Sequence, residues 1–140
     1  MPNYYESWKK WKGVEGTIIK DIHMAIIPKG CMRPQYAESW GDYWIDEKGV
    51  LQIRAVEMPN PMFSHYILEH EYHEAIRCIR DGISLESIER FDALHADHED
   101  PGQLITAPYH KHHMNGMMKE RLSCLMDGVD FGDYDNSEPV

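Results

Sequence analysis

The chain has 140 residues, the length of one compact domain able to bury a core without disulfides or a structural metal. Hydrophobic residues at 42% and charged residues at 27% exclude wholesale disorder. With 14 basic and 24 acidic side chains the formal charge is −10, which excludes general nucleic-acid binding and favours a basic partner or a local cation.

In chain order, Tyr4 to Trp11 reads as a short helix ending at Gly13, and Thr17 to Ile27 is apolar but open between helix and strand. Pro28, Gly30 and Pro34 then break the chain. Asp42–Ile45 and Val50–Val56 are β-rich runs joined by the hairpin loop Asp46–Gly49. In the second run Leu51, Ile53 and Ala55 share one face, with Gln52 and Arg54 on the other. Asn60–Pro61 is a helix start, and the helix runs to about Arg80 and stops at Gly82. A shorter helix follows over Ser84–Phe91, then a polar loop over Ala93–Ile105, then a last helix from Pro108 through Met126, ended by Gly128. Residues 1–129 form one domain, and the acidic segment 130–140 is expected to be a partly mobile tail.

The segment that carries chemistry is Glu69-His70-Glu71-Tyr72-His73-Glu74-Ala75. At about 100° per residue, Phe63, Ile67, Leu68, Ala75, Cys78 and Ile79 make one apolar arc. Glu71 and Glu74 fall inside that arc, with His70 at its edge, while Glu69, His73, Arg77 and Arg80 share the solvated face. A carboxylate in an apolar face is costly unless it is paired, protonated or bound to a metal. His70 and Glu74 are one turn apart and can converge on one cation. Glu71 stands where a general base for a metal-activated water would be. The alternative is a structural ion network pairing Glu71 and Glu74 with Arg90 or Arg121.

The last helix supplies the third ligand. Its apolar arc is Met114, Met117, Met118, Leu122, Cys124 and Leu125, with His110 and Arg121 pointing into it and His113 and Glu120 flanking it. His112 faces out. His113 is the first choice and His110 the second, His110 reading rather better as a core histidine on a backbone carbonyl. Glu120, two turns from His113, suits either a further ligand or an orienting carboxylate. Zinc fits a His/Glu/His set best, although Mn²⁺, Fe²⁺ and Ni²⁺ are also admitted. The loop residues His95, Asp97, His98, Glu99 and Asp100 are solvated, with a lid over the site as their functional alternative.

His70-Glu71-Tyr72-His73-Glu74 resembles the His-Glu-x-x-His helix of zinc-dependent metallopeptidases, with Glu74 in place of the second histidine. The order of hairpin, motif helix and ligand-bearing later helix is that of a small zincin. From Gly41-Asp-Tyr43 through this motif to Arg90-Phe-Asp92, Asp100-Pro-Gly102 and Ala107-Pro-Tyr-His110, the chain is similar to small bacteriophage proteins sometimes labelled zincin-like metallopeptidases. The resemblance implies an α+β fold, a β-hairpin or small antiparallel sheet packed on the motif helix and the C-terminal helix. It also implies a divalent metal, most simply Zn²⁺, on His70, Glu74 and His113, with Glu71 catalytic in cleaving a peptide or amide bond. The strand ending near Val56 would then offer an edge to an extended peptide or protein substrate. A different reading is a non-enzymatic phage accessory protein that binds and inhibits a basic host factor, motivated by the charge and by the acidic run Asp127–Asp135.

Three widely spaced cysteines, Cys31, Cys78 and Cys124, read as free thiols of a reducing compartment. No run approaches the roughly 20 apolar residues of a membrane span, and the N-terminus lacks the pattern of a secretory signal. The expectation is a cytoplasmic protein, in a bacterial host, that does not engage membranes.

Overall fold

The computed structural model describes residues 19–140, so the helix expected over Tyr4–Trp11 lies outside the described residues. Three strands, β1 (Asp21–Ile27), β2 (Gly41–Ile45) and β3 (Val50–Val56), precede four helices. These are α1 (Pro61–Arg80), α2 (Leu85–Leu94), α3 (His110–Met126) and α4 (Phe131–Asp135). The fold is a small α+β arrangement, with strands first and helices after.

The hairpin forms where alternation and turn chemistry agree. Asp46 accepts from the amides of Lys48 (2.9 Å) and Val50 (3.0 Å), and Gly49 takes φ +81° to close the turn. β2 runs antiparallel to β3, Gly41 opposite Ala55 and Ile45 opposite Leu51. β1, the segment left open between helix and strand, runs parallel to β3 in the order β1-β3-β2. The sheet is therefore mixed rather than antiparallel. β3 is enclosed on both sides, so it cannot present the edge expected of it; among the described strands the edges are β1 and β2. Parallel pairing joins distant segments and leaves no local signature, which is why hairpin logic missed it.

Leu51, Ile53 and Ala55 are fully buried beneath Phe63, Ile67, Ala75 and Ile79 of α1. Each large side chain there contributes about 1.5–3 kcal/mol by leaving water. Asn60 caps α1 by accepting from the Met62 amide at 3.0 Å. Ser64 bonds Val56 O and the Met58 amide, both at 2.9 Å, and so fixes the helix to the end of β3. At the other end Gly82 adopts φ +74° and the Ile83 amide returns to Cys78 O at 2.9 Å, a Schellman stop. α2 extends three residues past the expected Phe91, and α3 starts at His110, two residues after Pro108.

α3 lies antiparallel to α1, and its register can be read from polar bridges: Tyr66 to Asp127, Glu69 to Ser123, His70 to Glu120, Glu74 to His113 and Asp81 to His112. Most of the expected apolar arc of α3 faces outward instead, with Met118 66% and Leu125 77% exposed, while Cys124 is buried as expected and Met117 is half-buried. His112, expected to face out, is 3% exposed and holds Asp81 through Nε2 at 2.7 Å. Partners waiting on α1 turned the polar side of α3 inward.

Residues 130–140, expected to be a partly mobile tail, form α4 and return to the sheet end. Asp130 caps α4, Tyr134 is buried against Phe63 and Tyr66, and the Val140 amide bonds Glu57 O at 3.0 Å. Cys78 and Cys124 are buried free thiols, and Cys31 is an exposed one. No helix among the described residues is long and apolar enough to cross a membrane.

Candidate metal centre

His70 and Glu74 project from consecutive turns of α1 onto one point. His70 Nε2 lies 3.0 Å from Glu74 Oε2, and His113 Nδ1, brought in by α3, lies 3.2 Å from the same oxygen. Ligand atoms of these three residues all stand within 4.8 Å of one another. In a tetrahedral zinc shell with bonds of about 2.0–2.1 Å, neighbouring ligands stand about 3.3 Å apart. Glu74 already keeps close to that spacing from both rings. The donor set fits zinc in kind as well: two imidazole nitrogens and a carboxylate, all well shielded from water.

The far side of each ring is also held. His70 Nδ1 meets Glu120, and His113 Nε2 donates to Asp100 Oδ2 at 3.0 Å. Carboxylates behind ligating imidazoles fix ring orientation and raise basicity. Tyr43, from edge strand β2, donates its hydroxyl to Glu74 Oε1 at 2.9 Å, leaving Oε2 for the two histidines.

Charge sorts the carboxylates. Burial alone would raise the Glu74 carboxyl, but the bonds and charges of His113 and His70 outweigh it and bring it down to about 2. Burial opposes protonation of His113, yet Asp100 and Glu74 raise it to about 10. His70 is likewise driven up against burial by Glu120 and Glu74. Glu71 behaves oppositely. Burial, reinforced by the charges of Glu74 and Asp42 and opposed by His70 and His113, raises it to about 8. Without a metal, the cluster is an ion-paired trio beside a carboxyl that resists ionisation.

Three glycines make room for these side chains. A Cβ on Gly116 would stand 2.8 Å from His70 Nδ1, and one on Gly102 would stand 2.5 Å from His113 Cγ. A Cβ on Gly41 would collide with the Glu71 carboxylate. Gly116 sits inside a helix, where glycine costs about 1 kcal/mol relative to alanine. The approach of the imidazole accounts for it.

The structure thus brings together His70, Glu74 and His113, with Glu120 behind His70 as an orienting carboxylate. Glu71 lines the same cleft as the trio. His110 is not among them, since its Nδ1 lies 3.0 Å from Gly102 O. His73 faces away, 2.9 Å from Arg77. The arginines proposed for a structural network are engaged elsewhere: Arg90 pairs with Glu86, and Arg121 lies over the Phe131 ring. Sequence reasoning missed the roles of Asp100 and Tyr43. In the sequence Asp100 reads as a solvated loop residue or part of a lid, and Tyr43 as a residue of the hairpin strand, because neither residue type nor spacing shows a partner so far away in the chain.

The floor of the cleft carries the trio, and β2, α2, the 95–103 segment and the C-terminal segment wall it, enclosing about 1040 Å³. Compared with models of known protein families, with characterised proteins and with solved structures, the chain matches none. Fold and site together define an α+β protein with a buried His/Glu/His cluster that could hold a metal ion.

Proposed function

We propose that the protein is a zincin-like, metal-dependent hydrolase acting on a peptide or amide bond, as its resemblance to the phage proteins of that type implies. The observation that carries this reading is the convergence of His70, Glu74 and His113 on the floor of a cleft that Glu71 also lines. His70, Glu74 and His113 would hold the ion. When bound, zinc supplies Lewis acidity toward a carbonyl and lowers the pKa of water.

The remaining work belongs to the chain's own residues. Glu71 accepts the proton of the attacking water and passes it to the leaving nitrogen. Asp100 and Glu120 hold the imidazoles in one orientation, and Tyr43 fixes the free oxygen of Glu74. Among the described strands β2 is an edge whose residues Gly41 to Tyr43 line the cleft, so an extended substrate backbone can pair there beside Glu71.

The test is cleavage of a mixed peptide library by zinc-loaded protein, read by mass spectrometry. Cleavage abolished by chelator, restored by zinc, and absent in E71Q protein that still binds zinc is the expected result. Cleavage by E71Q at the wild-type rate would contradict the assignment.

A further inference from the structure

The cleft walls differ in charge from an ordinary acidic surface. Eleven of the described lining residues are Asp or Glu, and none is Lys or Arg. The inner carboxylates are already engaged: Asp42 and Glu89 with Arg33, Asp92 with Tyr36 and Tyr109, Asp100 and Glu120 with the imidazoles. Glu38, Glu99, Asp135 and Glu138 are different. They are exposed on the cleft lining, and no ion pair joins them to another described residue. Two described cations stand near the cleft without lining it. Arg33 is held by Asp42 and Glu89, and Lys29 lines an adjoining pocket of about 160 Å³ together with Glu38, Trp40 and Glu138, without an ion pair to either carboxylate.

Between the inner and outer carboxylates the walls are aromatic, with Tyr36, Trp40, Tyr43 and Tyr109. Such rings cover the alkyl stem of a lysine or arginine and attract its head group. Arg33 shows the same chemistry just outside the cleft, its guanidinium carbon 5.2 Å from the Tyr36 centroid and 4.8 Å from that of Trp44. The acidic lining is therefore accompanied by two independent features of a binding site: a deep cleft with aromatic walls and the His/Glu/His cluster on its floor.

We infer that the substrate is cationic, a peptide carrying lysine or arginine side chains beside the bond presented to the cluster. This rests on the reading of the site as a metal-dependent peptidase. The outer carboxylates draw the basic side chains in, the tyrosines and Trp40 flank their stems, and the −10 charge of the chain adds long-range attraction. A polar but uncharged peptide gains none of these terms, and an acidic one is repelled.

The test uses full-length, zinc-loaded E71Q protein, which binds without turning over. Three octapeptides identical except for Lys, Gln or Glu flanking the central bond are titrated by calorimetry at low and high salt. The lysine peptide is expected to bind about ten- to hundredfold more tightly than the glutamine peptide, with the preference shrinking at high salt. The glutamate peptide is expected not to bind. In the E38Q/E99Q/D135N/E138Q protein the preference should fall to a few-fold while zinc content stays unchanged. Spermidine, with amines but no backbone, should bind more weakly than the lysine peptide; equal affinity would overturn a peptide substrate. Equal affinity for the three peptides with zinc bound overturns the inference and leaves the metal reading standing. Absence of zinc binding overturns the metal reading, and the same titrations on chelated protein then decide the charge preference separately.

Discussion

Glu71 and Glu74 lie three residues apart on one helix and carry opposite shifts, so replacing each by glutamine separates their roles. Glu74 supplies the oxygen that both imidazoles face. E74Q should weaken zinc binding by about 10–100-fold or more, the loss seen even when only a supporting group is removed. Zinc at a hundred times its Kd stabilises by about 2.7 kcal/mol, so chelator should lower the wild-type melting temperature by about 10 °C and that of E74Q hardly at all. E71Q should keep the wild-type response to chelator and lose hydrolysis. Equal destabilisation of both variants with no response to chelator would mean a structural ion network instead.

The same shifts set a pH dependence. In metal-free protein, His113 is raised to about 10, so its contribution is complete below the ordinary imidazole value and is lost as pH rises toward 10. Glu74 is lowered to about 2, so its contribution is complete above the ordinary carboxyl value and is lost as pH falls toward 2. Glu71 is raised to about 8, so ionising it opposes folding increasingly from about pH 4.5 to 8. Metal-free protein should therefore melt highest between about pH 4.5 and 6.5. Metal-free E71Q should exceed wild type by on the order of 4 kcal/mol at pH 8, the two converging near pH 4. Zinc must displace one proton from each ring, so the gap between loaded and chelated protein should widen from pH 6 to 8. A gap that narrows over that range would contradict ligation by the histidines.

At the scale of elements, α1 was legible in the sequence and α3 was not. α1 places one apolar face on a sheet, so the wheel located its core residues and the odd carboxylates among them. Its ends were legible because Asn60, Pro61 and Gly82 act locally. The hairpin was legible for the same reason. α3 buries side chains because their partners lie elsewhere: Glu120 on His70, His113 on Glu74 and Asp100, His112 on Asp81. A wheel weighs hydrophobicity and knows nothing of such partners, so it turned the helix the wrong way. His113 was found because it flanked the arc, and His112 was misplaced because it did not. Two substitutions test this packing. G116A raises helix propensity by about 1 kcal/mol but sets a methyl against the His70 ring; zinc affinity should drop at least about tenfold. H112A should cost about 2–4 kcal/mol in urea unfolding, through a cavity and a lost bond to Asp81, with zinc stoichiometry intact. Wild-type stability in H112A would put that side chain back in solvent.

For the whole molecule, the C-terminal segment is part of the fold. Asp127 and Asp130 serve Tyr66 and the α4 cap, and Tyr134 fills the space between Phe63 and Tyr66. Composition alone suggested a tail because the apolar anchor is a single residue among acids. Tyr134 also lines the cleft, where burial and then the charge of Glu120 raise its phenol. Ending the chain at Val129 should cost about 3–5 kcal/mol and weaken zinc binding, whereas loss of a passive tail would change neither.

If His70, Glu74 and His113 form one metal site, untagged protein should take up zinc through these three side chains. Protein incubated with zinc, dialysed and analysed by mass spectrometry for metals should carry about one zinc ion per chain, and the H70A/H113A protein almost none. Zinc at background in the wild type, or at the same level in both proteins, would contradict the account.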